Sequence, residues 1–425
     1  MIRGASDAFR AAVVVTGDEV LAGRVRDENG PYVADDLIRA GCHVERIVVI
    51  GDPLGGLTAT IRAQIEDGLG LLVVTGGLGP TADDRTMEAV AMAAGVPMER
   101  NEEALELVGA RTRRFARATM ADADIVRAQE KQALIPRGAV VLPPIGTAPG
   151  CIIEVSGTYV VVLPGPPNEL RPMWAAACRE GVLADLLNAL ASDDSRTLRL
   201  WWVSEAELMV SLLRLPKNEL DRIGTYTRHG ELEVVAPADI ADDVRGLLDA
   251  SFGDALFSVD GRQVDDIVAA RLGERGETVA VAESCTGGAL GARFVDRAGA
   301  SAWFTGGVIA YADDVKVSAL GVDPAVLASD GAVSERTAVQ MAVGARRYGS
   351  ADWGVSVTGI AGPGGGSDDK PVGTVWIGVA GPDGADAEVF RFPSGDRAVI
   401  RRRAVTAALH RLRLRLATAG GRPSG

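Results

Sequence analysis

TVAVAESCTGGALG, residues 278–291, holds the pattern from which the rest of the chain is read. Its apolar run, 278–282, has the length of a strand buried on both faces. The run ends in Glu283, Ser284, Cys285 and Thr286, and Gly287 and Gly288 then lead into the apolar start of a helix. A strand that passes through a polar turn into a helix is the repeating unit of an α/β fold. The same turn is suited to chemistry. A helix N-terminus offers N–H groups without intrahelical partners, and glycine lets a ligand approach the backbone closely. Ser284 stands where a nucleophile would be presented. It also stands where a serine would simply cap the helix.

The alternation continues on both sides. Before the turn, 264–274 places Ile267, Val268 and Leu272 on one helical stripe. After it, 304–311 reads as a strand entered through glycines and ending at Tyr311, and a helix containing Lys316 starts at Asp313. A helix over 334–347 and a strand over 351–358 lead to a glycine-rich turn with Gly359, Gly362 and Gly364. A further strand covers 375–380. The last helix, 397–416, is predicted to bury Val405, Leu409, Leu412 and Leu416 and to turn its arginines to solvent. Residues 419–425 read as a disordered tail.

The first 175 residues have the same α/β rhythm. Strands over 11–16, 44–50 and 71–75 alternate with helices over 28–40 and 57–67, which predicts a doubly wound parallel sheet. The third strand runs into TGGLGPTADDRT, 75–86. Ligands in such folds bind beyond the carboxyl ends of the strands. There Gly76, Gly77 and Gly79 would bring N–H groups to a phosphate, and Asp83 and Asp84 would hold a divalent cation through oxygen. The alternative is a plain glycine turn with Asp84 as a solvated cap. Glu19 and Glu169 are weaker candidates, because carboxylates at loop starts are ordinarily just solvated. The basic run RTRRFAR, 111–117, reads as a solvated helix face and receives no site. Between the two ends, 176–258 reads as a small α+β connector, with a helix over 174–189 leading into it. It contains no GxxG loop of the kind that grips RNA.

Composition narrows the function classes. A length of 425 residues suggests two or three domains, divided here as 1–175, 176–258 and 259–418. A net charge of −13 argues against a nucleic-acid partner. Cys42, Cys151, Cys178 and Cys285 form no CxxC pair and read as reduced thiols. His43, His229 and His410 are the only histidines, none in a site-like loop, so neither a histidine metal site nor a Ser-His-Asp triad is expected. No apolar run has the length of a membrane span, and the N-terminus is too short in apolar core for a signal peptide. A cytoplasmic protein with no membrane partner is expected.

Several of these motifs carry a resemblance. The segment 75–86 resembles the molybdopterin-binding fold shared by MoaB/Mog proteins and the CinA family. Thr16-Gly17-Asp18-Glu19, Asp27-Glu28-Asn29, Lys131-Gln132-Ala133, Gly146-Thr147-Ala148-Pro149-Gly150 and 163–169 are similar to CinA in order and spacing. The resemblance implies ADP-ribose cleavage with a divalent metal ion, Asp84 as the foremost carboxylate, Gly76, Gly77 and Gly79 as an anion cradle, and a KH-type middle domain. AESCTGG, GGxxxY with lysine five residues on, GAVSE, TGIAGPGGG and KPVGTV resemble the PncC (CinA C-terminal) amidohydrolases. That resemblance implies conversion of nicotinamide mononucleotide to nicotinate mononucleotide and ammonia in pyridine nucleotide recycling. It implies Ser284 as nucleophile, Tyr311 and Lys316 as its partners, no cofactor for the amidase, and a homodimer.

The residues fit that chemistry on their own. An amide carbonyl needs an activated nucleophile, and serine beside a desolvated lysine is the recurrent alternative to serine beside histidine. The turns around Thr286, Gly287 and Gly288 and around Gly359, Gly362 and Gly364 are suited to one phosphate and one oxyanion, in either assignment. One departure stands out. The family usually has Ser-Asn after the tyrosine, and Ala312-Asp313 stands here, adding a negative charge near Lys316. A non-catalytic pterin- or nucleotide-binding partner in competence or DNA damage response is the other reading.

Overall fold

The computed structural model describes residues 9–115, 122–190, 195–228, 230–393 and 395–418. The end of the 111–117 run, His229 and the 419–425 tail lie outside the described residues. The chain forms two compact units, Met1–Asp194 and Ser195–Gly425.

The first unit holds β1 (Arg10–Thr16), β2 (His43–Ile50), β3 (Leu71–Thr75), β4 (Met98–Arg100), β5 (Leu134–Pro136), β6 (Val140–Leu142), β7 (Gly150–Val155) and β8 (Thr158–Leu163). Six of them make one sheet in the order β2-β1-β3-β8-β7-β6, and β4 pairs with β5 apart from it. The first four run parallel, with Val13 opposite both Ile47 and Val73, and Val73 opposite Val161. Strand periodicity accounts for the two buried faces. Ala11, Val13 and Val15 share a core with Val33, Leu37, Leu170 and Trp174, whereas Ala12 and Val14 share the other with Leu57, Ile61, Ala89 and Val90.

Two features depart from expectation. β7 and β8 form an antiparallel hairpin closed by Ser156 and Gly157, at φ 52° and 85°. Two successive left-handed residues match the twist of a two-residue hairpin. The helix expected over 174–189 is instead two, Pro167–Ala177 and Val182–Leu190, separated where Gly181 takes φ 85°. The second of these buries Leu183 and Leu187 in the core of the first unit.

The second unit opens with β9 (Arg196–Trp201), β10 (Gly224–Arg228), β11 (Glu231–Ala236) and β12 (Leu256–Ser258), an antiparallel sheet in the order β10-β11-β9-β12. It continues with β13 (Val279–Glu283), β14 (Phe304–Ile309), β15 (Trp353–Gly359), β16 (Thr374–Gly381) and β17 (Gly384–Arg391), in the order β14-β13-β15-β16-β17. β13 pairs in parallel with β14 and β15, and β16 and β17 extend the sheet antiparallel. Val279 and Val281 enter one core with Trp353, Val355 and Leu409, while Ala280 and Ala282 enter the other with Leu320 and Met341.

The long helix Arg397–Thr418 buries Val405, Leu409, Leu412 and Leu416 as expected. Its arginines do not simply face solvent. Arg411 reaches Asp386 and Glu388, Arg415 reaches Asp386, and Arg413 is buried over the Phe257 ring. The reason is tertiary: β17 and β12 bring carboxylates and an aromatic ring to that face of the helix. Among the described residues, no helix is long and apolar enough to cross a membrane.

Candidate functional site

The two glycine-rich turns lie one in each unit. In the first unit a cleft of about 470 Å³ opens at the carboxyl ends of β1, β3 and β8. Gly76 and Gly77 take φ 105° and 62°, and a Cβ on Gly76 would lie 2.3 Å from the Thr16 carbonyl oxygen. Only glycine permits that close approach. The Gly76 N–H, however, donates to the Leu163 carbonyl at 3.1 Å, so it is spent on the sheet and not open to an anion. Thr86 closes the turn by donating its hydroxyl to the Gly76 carbonyl at 2.7 Å.

The acidic pair lies at the rim. The Thr81 hydroxyl meets both the Asp83 and the Asp84 carboxylates, and the Thr81 N–H donates to Asp84 at 3.0 Å. That hydroxyl holds the Asp83 carboxyl below its ordinary value. A Cβ on Gly79 would stand 2.4 Å from Asp84 Oδ2, so the glycine makes room for the carboxylate. Lys131 bonds the carbonyls of Gly79 and Thr81, and burial lowers its pKa. On the opposite wall Glu169 rests against Gly146, where burial raises its pKa.

The cleft is strongly acidic. Glu19, Asp27, Glu28, Asp52, Asp83, Asp84 and Glu169 line it, and Arg26 is the only basic side chain among its described lining residues. Among the described residues no three His, Cys, Asp or Glu side chains gather as a ready-made metal cage. Asp83 and Asp84 still fit a hard cation of the kind held by one or two carboxylates, waters and substrate phosphate. Asn29 was not anticipated as a site residue. Its amide N–H₂ donates to Thr75 Oγ1 at 3.2 Å and to the Gly165 carbonyl at 2.6 Å, which fixes the side chain. Its Oδ1 is buried in the cleft wall without a partner, an acceptor left for a ligand.

In the second unit Ser284 follows the last residue of β13, and its N–H continues the sheet by donating to Val357 at 2.9 Å. Ser284 is 9% exposed, and its hydroxyl has no hydrogen-bond partner among the described residues. The helix behind it is not open to an anion. The buried Glu283 carboxylate accepts from the N–H groups of Gly288, Leu290 and Gly291 at 3.0, 3.0 and 2.8 Å. The Gly287 N–H donates to the Ser284 carbonyl at 3.1 Å. The Gly287-Gly288 cradle expected from the sequence is therefore internally satisfied. The Thr286 N–H, two residues past Ser284, has no acceptor among the described residues, and the Cys285 N–H meets only its own thiol. Burial pushes the Cys285 thiol up to about 11, which leaves it inert beside Ser284.

The Ala310 N–H donates to the Glu283 carbonyl at 2.7 Å, which sets Tyr311 alongside the serine turn. Lys316 is 1% exposed, and its amine donates to the Tyr311 carbonyl at 3.0 Å and to Asp313 Oδ1 at 3.1 Å. Lys316 is thus linked to the serine turn only through the 310–311 backbone and is not hydrogen-bonded to Ser284. The Tyr311 phenol faces the other way: it is 63% exposed and meets Arg397 Nη2 at 3.2 Å. Arg397 also donates to the Gly362 carbonyl at 2.7 Å, and Arg401 to the Thr286 carbonyl at 2.6 Å. These two arginines, one helical turn apart, were read as solvent-facing. Their i, i+4 spacing at the start of the last helix is the one signal the sequence offers. Gly359 ends β15, while Gly364 stands in an exposed loop with open space around it. The Thr286 and Thr374 hydroxyls are buried without partners.

Comparison with known proteins follows the same division. Residues 12–183 match the "probable molybdopterin binding domain" and residues 261–416 the "CinA C-terminal domain". A CinA-like protein of Mycolicibacterium gilvum is 43% identical over 422 residues, covering 97% of this chain and 99% of the relative. One from Mycobacterium sp. (strain MCS) is 44% identical over 417 residues, covering 95% and 98%. Among solved structures, the competence/damage inducible protein of Agrobacterium tumefaciens is 37% identical. It covers 38% of this chain and all of its own, with a TM-score of 0.35.

Proposed function

This chain belongs to the CinA family, and from that premise we propose that its second unit hydrolyses the carboxamide of nicotinamide mononucleotide. The observation that carries this reading is the Ser284 hydroxyl, without a partner among the described residues, on a turn bonded through Ala310 to the segment that holds the buried Lys316. In the reaction Lys316, as the free amine, takes the Ser284 proton while Oγ attacks the carboxamide carbon. The N–H groups of Cys285 and Thr286 receive the oxyanion, a geometry in which the residue after the nucleophile supplies a donor. Collapse breaks the C–N bond, the leaving amine takes a proton from Lys316, and ammonia departs. Water then hydrolyses the acyl-serine to nicotinate mononucleotide and free Ser284. Arg397 and Arg401 are the cations within reach for the substrate phosphate.

For the first unit the reading is cleavage of ADP-ribose at its diphosphate. An anionic substrate in so acidic a cleft needs a cation to offset repulsion, and a divalent ion on Asp83 and Asp84 would supply it. Asn29 Oδ1 accepts from the ligand, and Glu169, whose pKa is raised, is the residue suited to hold the proton of an attacking water. One observation favours the non-catalytic alternative: the ion pair of Lys316 with Asp313 occupies the proposed base. Ammonia release from nicotinamide mononucleotide by the purified chain, with and without Ser284→Ala, decides between the two. The pathway setting is pyridine nucleotide recycling in the cytoplasm.

A further inference from the structure

A third cavity, of about 410 Å³, lies in the second unit where the turn after β9 meets the end of β17 and the long C-terminal helix. It shares no residue with either site above. Its volume is that of a small-molecule pocket, and three observations mark it as built.

Trp202 in its wall has φ 63°, the left-handed region that a bulky residue avoids. Strain of this kind persists only where the surroundings enforce it, and it concentrates at ligand sites. Here the ring is pinned edge-on against Phe390 at 5.1 Å and Phe392 at 6.0 Å, yet Trp202 remains 55% exposed. An apolar ring is thus held open toward the cavity at a conformational cost. Next, Arg403 lines the same cavity and has no hydrogen bond or ion pair among the described residues. On the same helix Arg397, Arg401, Arg411, Arg413 and Arg415 have partners, while Arg402, which has none among the described residues, does not line the cavity. Finally, two carboxylates are half-used. Glu205 Oε1 accepts from the Thr227 hydroxyl and Glu207 Oε2 from Ser204, which leaves Glu205 Oε2 and Glu207 Oε1 as acceptors at the rim.

A stacking face, a guanidinium and paired carboxylate acceptors are the groups that recognise a base, a phosphate and ribose hydroxyls. We propose that this cavity binds a mononucleotide, its base stacked on Trp202, its ribose hydroxyls donating to Glu205 and Glu207, and its phosphate on Arg403.

AMP is the probe, with binding to the full chain followed by equilibrium dialysis for stoichiometry and by tryptophan fluorescence. Trp202→Gly, which suits the left-handed backbone, is expected to remove one AMP site per chain and its quenching. Arg403→Ala is expected to weaken that site at least tenfold for AMP while leaving the weak binding of adenosine unchanged. The proposal is overturned if Arg403→Ala binds AMP with wild-type stoichiometry and affinity. It is equally overturned if Asp84→Ala abolishes all AMP binding, which would place every site in the first unit. Should Trp202→Gly fail to fold, the arginine variant decides alone.

Discussion

Glu283 and Ser284 are adjacent in the chain and have opposite tasks. The carboxylate of Glu283 is buried and occupied by three backbone N–H groups, so it holds the shape of the turn that presents Ser284. Removing it orphans three donors. Glu283→Ala is expected to cost the second unit about 3 kcal/mol, the scale of a lost charge-assisted cap in a buried site, while Glu283→Gln keeps acceptor oxygen and loses about half as much. Urea denaturation of both variants checks this, and an alanine variant as stable as wild type would remove the structural role. Asp313 makes the second argument at this scale. It bonds the Lys316 amine directly, and that pair has to open, and the amine lose its extra proton to solvent, before Lys316 can turn to Ser284 as a base. Asp313→Asn, which loosens that pair, is therefore expected to raise the deamidation rate, read as ammonia release at fixed pH. An unchanged rate would mean that Asp313 does not restrain Lys316.

At the scale of elements, glycine-rich turns recur at strand ends with glycines that differ in kind. Gly76 has φ 105° and would drive a Cβ to 2.3 Å from the Thr16 carbonyl, whereas Gly364 has nothing within 4 Å. Gly76→Ala is expected to destabilise the first unit by about 3 kcal/mol through strain and overpacking. Gly364→Ala is expected to stay within about 0.5 kcal/mol of wild type. Thermal unfolding of the two variants separates them. The contrast also shows what a sequence can reveal. Both turns were legible because an apolar run, a polar turn and glycines occur in order. Who consumes their N–H groups was not, since Leu163 at Gly76 and Glu283 at Gly288 act through the folded backbone. The helix break at Gly181 and the hairpin at Ser156-Gly157 were missed because local apolar runs do not show left-handed residues. Arg397 and Arg401 looked like solvated charge until the fold set Gly362 and Thr286 against them.

On the scale of the whole molecule, the second unit is joined through a buried hydrogen-bonded set. His410 on the long helix lies 2.7 Å from Glu231 on β11 and stacks on Trp201 at 4.3 Å. Arg413 donates to Nδ1, so the neutral ring presents its Nε2 proton to Glu231. Burial holds the His410 pKa well below its ordinary 6.5 and pushes Glu231 up from 4.5 to about 7. The signs oppose each other. Histidine stability is present above pH 6.5 and is lost as pH falls below it, while the glutamate loses stability as pH rises from 4.5 toward 7. Just below pH 6.5 the two act against each other. Glu231→Gln removes one side, so its stability is expected to rise with pH there by about 1.4 kcal/mol per unit, one proton's worth. Denaturation at several pH values reads that slope, and a flat profile would refute it. The central claim, however, concerns chemistry at Ser284. Its most direct test is ammonia release from nicotinamide mononucleotide by the wild type, Ser284→Ala and Lys316→Ala. The account predicts a measurable wild-type rate, a fall on the order of a thousandfold in each variant with affinity little changed, and no further loss in the double variant. A Ser284→Ala protein that releases ammonia at the wild-type rate would contradict it.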